Sequence, residues 1–391
     1  MKCEVWSSIH DVLRETDSWN DLWERSDTAV PTACAQPLRH WVEYFFPESP
    51  VRTIVVRDGT RLAAALPVVA TGRWPKIGQI PFNDWMPGGM LLVDPRFATH
   101  ELGHLLVDGL SQLPCHAFWF RNVPWKSTAW QCLLEAVARR RLPIASHVLH
   151  EVGLVNLRRS WADIDRQFSG NHRRHMRKAL RRAEREGGVS MEVVQGCSPG
   201  ELERTLRTGF EIEERGWKGL EGTAILKQPG MFEFVLRQAL ELLRDDRVRL
   251  VLLKHNDRLV AYEYCWKAKG QLLTPKIAYD EDYSSISPGQ LLIQFHMQHM
   301  VESGEFEQVD FSGPITDSTR KWCTSFYEAG TAVIGQSGLA GRAIVAAYAW
   351  RRARKLRKQA QASARSAAHG DSTQSETASE ETAEAEAQVA R

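Results

Sequence analysis

The chain has 391 residues, of which 43% are hydrophobic and 25% are charged. Its 50 Lys and Arg nearly balance its 48 Asp and Glu, which gives a net charge of +2. This length predicts two domains plus a remainder. The charge balance excludes a uniformly basic nucleic-acid wrapper and an acidic disordered chain, while it leaves room for local charged patches.

Composition also sets expectations for cellular context. No run of about 18 apolar residues is free of charge, so no transmembrane helix is predicted, and the N-terminus lacks the pattern of a secretory signal. The seven cysteines form no C-x-x-C pair, and their number is odd. We therefore expect no disulfide framework, no metal site and a cytoplasmic location.

Two β-hairpins are predicted, one in each half of the chain. The first pairs residues 52–57 with 61–69, and the second pairs residues 247–254 with 258–267, each across a short polar turn. The two hairpins align without gaps. A duplicated domain and a chance likeness of two hairpins are both open at this point.

Between the hairpins, residues 160–186 are predicted as one helix, which Ser160 or Asp163 caps and Gly187-Gly188 ends. Its second half is strongly basic. Such a helix contacts phosphates or is a solvated structural helix. The basic residues are Arg173, Arg174, Arg177, Lys178, Arg181, Arg182 and Arg185.

A helix ending near Gly216 is followed by Trp217 and Lys218, which we expect on a loop between Gly216 and Gly219. A carboxylate next to an apolar Trp has a raised pKa, and this suits one of Glu211, Glu213 and Glu214 as a general base for an amine. The alternative is an ordinary helix end with a packed Trp and a solvated Lys.

Residues 272–279 are predicted as a strand, and after a polar loop Pro288-Gly289 opens a second helix. The N–H groups of Gly289, Gln290 and Leu291, together with the positive end of the helix, form an anion site suited to a pyrophosphate. An ordinary strand–loop–helix connection is the alternative.

Further strands are predicted over residues 306–311 and 327–334. Asp310 either orders a loop, touches substrate or caps a turn.

Near the C-terminus, residues 342–358 are predicted as a short helix with a basic end. It either contacts an anionic membrane surface or is solvated and paired with an acidic tail. From about Ala360 the sequence has almost no large apolar residue, which predicts a disordered tail.

Four motifs occur in a fixed order along the second half. They are Glu213-x-x-Gly216-Trp217-Lys218-Gly219, Lys276-x-x-Tyr279-Asp280, Ser287-Pro288-Gly289-x-Leu291-Leu292, and Asp310-Phe311-x-Gly313 with Lys321-Trp322 downstream. Together they resemble GNAT-fold acyltransferases of the bacterial cellulose-biosynthesis CelD type, which are related to the FemABX peptidyltransferases. The resemblance is best over about residues 150–335 and fainter before them. The usual GNAT pyrophosphate loop, Q/R-x-x-G-x-G/A, is absent.

The resemblance implies an α/β (α+β) fold of tandem GNAT-like units, with mixed, mostly antiparallel sheets flanked by helices. Residues 1–155 would form a degenerate N-terminal unit, and residues 156–338 a more complete acyltransferase domain. Residues 339–391 would be the basic helix and the acidic tail.

The resemblance also implies direct acyl transfer from acetyl-CoA or another acyl-CoA, as co-substrate, to an amine or hydroxyl. The acceptor would be a small molecule or a glycan precursor in polysaccharide biosynthesis. The thioester would lie in the gap between two splayed central strands, near residues 264–266 and 273–276. The implied catalytic residues are Glu213 as base, Lys218 or Lys276 to orient a substrate, and Tyr279 or Tyr264 to protonate the thiolate.

The implied cofactor-binding and substrate-binding sets lie further along the same motifs. The cofactor-binding residues are Ser287, Gly289, Gln290 and Leu291, and the substrate-binding residues are Trp217, Asp310 and Lys321.

Two alternatives stay open. A FemABX-like transferase would use aminoacyl-tRNA bound by the basic helix, although no long helical hairpin of coiled-coil heptads occurs. A non-catalytic scaffold would contact a polysaccharide-synthesis assembly through its basic C-terminal helix and tail. DNA binding is not expected, because no helix-turn-helix or zinc pattern is present.

Overall fold

The structure is a computed structural model that describes residues 1–83 and 87–368. In the first half of the chain, helices follow the first strand, and a hairpin and alternating strands and helices come next. The elements are β1 (Lys2–Trp6), α1 (Ile9–Arg14), α2 (Thr16–Arg25), α3 (Ala35–Phe45), β2 (Val51–Asp58), β3 (Arg61–Thr71), β4 (Ile77–Gln79), β5 (Leu92–Val93), α4 (His100–Gln112), β6 (Ala117–Pro124), α5 (Thr128–Arg139) and β7 (Ile144–Asn156).

The second half repeats this order after two additional helices, and a long helix ends it. The elements are α6 (Trp161–Gln167), α7 (Gly170–Arg185), β8 (Val189–Val194), α8 (Pro199–Arg215), α9 (Trp217–Leu220), α10 (Met231–Arg244), β9 (Val248–His255), β10 (Arg258–Ala268), β11 (Gln271–Tyr279), α11 (Pro288–Ser303), β12 (Gln308–Pro314), α12 (Asp317–Arg320), β13 (Ser325–Gly335) and α13 (Leu339–Ala368).

Both predicted hairpins are confirmed, as β2–β3 and β9–β10. The repeated order of elements favours a duplication over a chance likeness. The C-terminal unit is also the more complete one. Its strand β11 is continuous, whereas the corresponding strand of the first unit is divided into β4 and β5, which pair with β3 at separate places.

The strands of the described residues form one sheet in the order β1-β2-β3-β4-β6-β13-β7-β12-β11-β10-β9-β8, with β5 beside β3. β13 lies between β6 and β7, and β7 lies between β13 and β12, so each half contributes its last strand to the other half. The β7–β13 ladder runs from Leu154↔Ser325 to Ile144↔Ile334. Separation of the two halves would break this ladder and expose its backbone groups.

The largest hydrophobic cluster also crosses between the halves. Trp19, Trp23 and Trp41 of the first half are buried with Phe210 and Tyr262 of the second. Burial of large aromatic side chains contributes most of the stabilisation in such a core.

A half-buried lysine adds a polar contact between the halves. Lys269 Nζ, in the turn after β10, donates to the carbonyl oxygens of Trp23 in the last turn of α2 and of Ser26 and Thr28 after it. Burial lowers the pKa of Lys269 to about 8. A side chain of the second half thus satisfies carbonyl groups of the first half.

The prediction of one helix over residues 160–186 is wrong, because α6 and α7 are separate. Ser169 has an extended backbone conformation, and its hydroxyl accepts a hydrogen bond from the His172 N–H, so it caps a new helix. Phe168 is buried at the break. The predicted cap at Ser160 is confirmed.

Helix α13 is longer than the predicted residues 342–358. Its first part packs on the centre of the sheet, where Val345 is buried and the Tyr348 ring lies near Trp119. The helix continues through an Ala-rich stretch to Ala368, as the high helix propensity of Ala favours. The predicted acidic tail lies beyond residue 368, outside the described residues.

Candidate active site

A wedge opens between two neighbouring parallel strands of the second half, β11 and β12. The expected gap near residues 264–266 and 273–276 is wrong, because these segments belong to β10 and β11, which pair with each other there. β11 and β12 pair at three positions, from Gln271↔Gln308 to Leu273↔Asp310. Beyond Leu273, β11 continues beside β10 as far as Tyr279, but in the described sheet it has no partner on its other side. The backbone groups on that edge are available to a bound ligand.

The wedge forms because β12 bulges after Asp310. Asp310 is paired with Leu154, and Pro314 is paired with Val152, so β12 uses two more residues than β7 over this step. Ser312 adopts a φ of 57°, in the left-handed region. Bulges of this kind bend a strand and re-aim its side chains, and they are frequent beside active sites.

Asp310 lies at the narrow end of the wedge. Its Oδ1 accepts a hydrogen bond from the Ser312 N–H at 2.6 Å, and its Oδ2 accepts one from the Tyr327 hydroxyl at 3.1 Å. Burial raises the pKa of Asp310 to about 6, and these two hydrogen bonds oppose the rise. A carboxyl with this pKa exchanges a proton readily near neutral pH, which is the property a general base needs.

Glu213, near the end of α8, is almost fully buried and both of its oxygens are bonded. Lys218 Nζ donates to Oε1 at 2.7 Å, and the Ile225 N–H donates to Oε2 at 3.1 Å. Burial raises the pKa of Glu213, but the Lys276 and Lys218 ammonium groups and these hydrogen bonds outweigh it, so the pKa is lowered. The expected raised pKa is therefore wrong. The carboxylate stays ionised and holds Lys218 in place.

Lys276 belongs to the same cluster, because β11 carries it on the α8 side of the sheet. Its partner across the ladder is Tyr264 of β10. The structure does not bring Tyr264 to the wedge. This side chain is fully buried under α8 and α10, and burial raises the pKa of its hydroxyl. A group in that position cannot reach a departing thiolate, so the acid role expected of Tyr264 is wrong.

The predicted start of α11 at Pro288 is confirmed, but it offers fewer free donors than the sequence predicts. The Gln290 and Leu291 N–H groups both donate to the Ser287 carbonyl oxygen, at 3.0 and 3.1 Å. The Gln290 side chain bonds Trp322 Nε1 and the Ser318 carbonyl. Two of the three expected N–H ligands for an anion are thus committed within the protein.

Gly289 is the predicted ligand whose N–H has no protein partner among the described residues. The Tyr279 ring lies directly beside it, so that a Cβ atom at position 289 would be 3.1 Å from Tyr279 Cδ1. Tyr279 is 44% exposed and therefore covers the helix start without sealing it. A pyrophosphate would find one backbone donor here and no glycine-rich loop, which is a weak fit.

Trp217 and Lys218 lie on the short helix α9, and the expected loop is wrong. Thr223 and Ala224 donate to the Lys218 carbonyl oxygen, which closes this helix. Trp217 is 54% exposed, and its backbone N–H donates to Glu281 Oε1 at 3.1 Å. The Trp217 ring is thus available for contact with a ligand.

Lys321, also predicted to bind substrate, is exposed at the end of α12. Burial is the largest cause of the lowered pKa of His172, and the positive charge of Lys321 lowers this pKa further. Lys321 therefore lies near α7, which carries His172. No contact of Lys321 with Asp310 is present in the described residues.

Sequence reasoning missed Tyr327 as a partner of Asp310. The only signal in the sequence is that Tyr327 begins the last predicted strand. Its hydrogen bond with Asp310 depends on the crossing of β13 into the other half.

Sequence reasoning also missed a buried group in which Glu263, Cys265 and His296 have ligand atoms within 4.8 Å of one another. His296 Nδ1 lies 2.7 Å from Glu263 Oε2. These residues lie in the core between β10 and α11, behind the wedge.

Comparison with known proteins places this site within a recognised domain. Residues 170–318 match the family described as an acetyltransferase (GNAT) domain. This segment runs from α7 into α12 and includes the wedge, Glu213 and Asp310. The matched segment of the second half is therefore similar to a GNAT acetyltransferase domain. No curated protein has a significantly similar sequence, and no helix of residues 1–83 and 87–368 is long and apolar enough to span a membrane.

Solved structures share the fold over most of this chain. FemX has a TM-score of 0.57 and 11% identity, with 85% of this chain and 97% of FemX covered. A conserved protein of unknown function from Bacteroides thetaiotaomicron has a TM-score of 0.53 and 11% identity, with 83% and 97% covered. The C-terminal domain of a putative lysylphosphatidylglycerol synthetase from Agrobacterium fabrum has a TM-score of 0.51 and 15% identity, with 86% and 96% covered. At these identities the likeness shows the fold alone.

Proposed function

We propose that this chain transfers an acyl group from a thioester to an amine or hydroxyl in the wedge between β11 and β12. The observation that carries the proposal is the place of Asp310. A half-buried carboxyl, whose hydrogen-bond donors are both neutral, lies where β11 and β12 separate. The open edge of β11 beside it offers backbone groups to an extended ligand.

The proposed reaction proceeds by direct attack without a covalent enzyme intermediate. With an amine acceptor, the Asp310 carboxylate takes one proton from the ammonium group, and the free amine attacks the thioester carbonyl carbon. The C–N bond forms and the C–S bond breaks, and the second proton on nitrogen passes to the departing thiolate. The products are an amide and a free thiol, and Asp310 returns its proton to solvent.

Stabilisation of the tetrahedral intermediate is assigned to backbone N–H groups on the free edge of β11. Preorganised donors of this kind are commonly the largest contribution to catalysis of acyl transfer. Tyr327 is a positioning residue, because it holds the Asp310 carboxyl and sets its pKa. Tyr279 lies at the mouth of the wedge, six residues along β11 from the Leu273↔Asp310 pair, and we assign it no role in proton transfer.

Glu213, Lys218 and Lys276 are assigned to the acceptor side of β11. Together they carry two ammonium groups and one carboxylate, which favours an anionic group on the acceptor. Trp217, exposed next to them, offers a ring face for stacking. Small molecules and glycan precursors with an amine or hydroxyl fit this description, in agreement with the resemblance to CelD-type enzymes.

The test is release of free thiol by the full-length protein at pH 8, with acetyl-CoA and longer acyl-CoAs and a panel of amines and amino sugars. We expect turnover with at least one pair and a loss of about 10²–10⁴-fold in kcat for Asp310→Asn. Asp245→Asn, at an exposed residue after α10, is the matched control and should retain the wild-type rate. Unchanged turnover in Asp310→Asn would refute the assignment of the base. Binding of thioesters without any turnover would favour the scaffold alternative.

A further inference from the structure

Helix α7 carries a stripe of positive charge on one exposed face. Its five members follow the spacing i, i+3, i+4, i+7, i+11, which places them along one side of a helix over about 16 Å. All five are exposed. We call this set the basic stripe, and its members are Arg174, Arg177, Lys178, Arg181 and Arg185.

The charge of the stripe is not neutralised by ion pairs within the described residues. The two other arginines of α7 are paired, Arg173 with Asp165 at 3.7 Å and Arg182 with Glu186 at 2.8 Å. Glu184 is the one carboxylate among the side chains that line the groove along the stripe. Five adjacent cations on an otherwise nearly neutral chain create a local field that attracts a polyanionic partner.

The stripe lies beside the mouth of the wedge. His175, between the first two members of the stripe, has its Nε2 2.9 Å from the Ser287 hydroxyl at the start of α11. α7 also packs on the 3₁₀ turn Glu281–Ile286 that joins β11 to α11. A partner bound along α7 therefore reaches the wedge at the helix end where a pyrophosphate was expected.

The shape of the surface favours a macromolecule over a free cofactor. The groove along the stripe is lined only by side chains of α7, whereas sites for small molecules are concave and surround most of the ligand. A second helix laid beside α7 would supply the missing wall. The helix does not favour a bilayer, because Met176, Ala179 and Ala183 face inward. It also carries no Phe, Tyr or Trp, the large rings that most favour stacking with RNA bases.

We propose that the basic stripe docks an acidic helix of a carrier protein that bears the acyl group as a phosphopantetheine thioester. This inference rests on the proposed function and names the source of its donor. Of the three N–H groups predicted to bind a phosphate at the start of α11, only that of Gly289 has no protein partner among the described residues. Contacts along α7 therefore supply most of the affinity, and the phosphopantetheine arm delivers the thioester into the wedge.

The experiment compares one acyl group on two carriers, an acyl carrier protein and CoA. The variant is Arg177→Gln/Lys178→Gln/Arg181→Gln. The matched control removes the same charge from α13, as Arg351→Gln/Arg357→Gln/Lys358→Gln, at residues that are also exposed. Thermal unfolding of both variants checks that they fold. kcat/KM is measured at 50 and 300 mM salt, and affinity for the loaded carrier protein is measured by calorimetry.

We expect wild type to prefer the carrier protein at least tenfold in kcat/KM at 50 mM salt, and to lose this preference at 300 mM. The α7 variant should lose at least tenfold with the carrier protein and less than twofold with CoA, and the α13 variant should resemble wild type. Equal losses with both donors, or none, would overturn the proposal. So would a stripe-dependent affinity for tRNA or for anionic vesicles without affinity for the carrier protein.

The two proposals fail in different ways. If neither donor is turned over, the proposed function fails, while calorimetry still decides whether the stripe binds the carrier protein. If CoA thioesters are turned over and the carrier protein does not bind, the proposed function stands and the docking proposal is refuted.

Discussion

Replacement of Asp310 by Asn should separate stability from activity. Asn has nearly the same shape and retains an oxygen for the Ser312 N–H and an amide that can bond the Tyr327 hydroxyl. What it loses is the ability to ionise. In the wild type, ionisation of this carboxyl is disfavoured, because burial raises its pKa from 3.8 to about 6.

The sign of the effect follows from linkage. A carboxyl whose pKa is raised in the folded state favours folding when it is protonated, and this contribution is lost as the pH rises from the unfolded pKa through the folded one. The difference between 3.8 and about 6 corresponds to about 3 kcal/mol above pH 7. With an unfolding entropy of about 2.1 cal/mol/K per residue, this shifts the melting temperature of a 391-residue chain by about 4 °C.

The assay is thermal unfolding of wild type and Asp310→Asn from pH 4 to pH 8. The two proteins should have similar stability near pH 4, and the variant should become progressively more stable than wild type as the pH rises from about 4 to about 6, with a constant difference above pH 7. The same variant should be nearly inactive. A variant less stable than wild type at pH 8, or a difference that does not change with pH, would refute the claim that Asp310 is held in an environment that disfavours its charge.

Three further changes test the surroundings of the wedge. Tyr327→Phe removes a hydrogen bond that lowers the pKa of Asp310, the proposed base. The rising limb of the pH–rate profile should therefore move to higher pH from its wild-type midpoint near 6. An unmoved midpoint would contradict the role of Tyr327. Lys218→Met leaves the buried Glu213 carboxylate without one cation and should lower the free energy of unfolding, measured with denaturant, by up to about 3–5 kcal/mol. The double variant with Glu213→Gln should regain much of this stability. Additive losses would show that the pair is not coupled. Gly209→Ala places a Cβ 2.6 Å from the Tyr262 ring behind α8 and should lower stability by about 1–3 kcal/mol, whereas a neutral result would mean that α8 packs less closely.

The parts of the fold that could be predicted are those with local causes. Both hairpins depend on β-branched runs on either side of a polar turn, and the start of α11 depends on Pro288, whose missing N–H and fixed φ suit the first turn of a helix. The cap at Ser160 depends on a hydrogen bond that spans three residues. Each of these signals lies within a few positions of the feature that it predicts.

The parts that could not be predicted depend on contacts between distant segments. The exchange of β7 and β13 places Tyr327 against Asp310, and nothing near either residue in the sequence indicates this. The expected raised pKa of Glu213 was based on the neighbouring Trp217. That ring is exposed, and Lys276, which lies on another strand, reverses the direction. The break at Ser169 depends on the burial of Phe168 against Trp322.

The two carboxyl groups of the site show why loss of hydration alone does not identify a base. Glu213 and Asp310 both lose hydration, which raises the pKa of each. Glu213 faces two ammonium groups and remains a fixed anion, whereas the hydrogen-bond donors to Asp310 are a backbone N–H and a hydroxyl, which are neutral. Opposite shifts in neighbouring titratable groups separate a proton-transfer role from an electrostatic one. A variant of Glu213 should therefore change stability and acceptor affinity, and a variant of Asp310 should change the pH dependence of the rate.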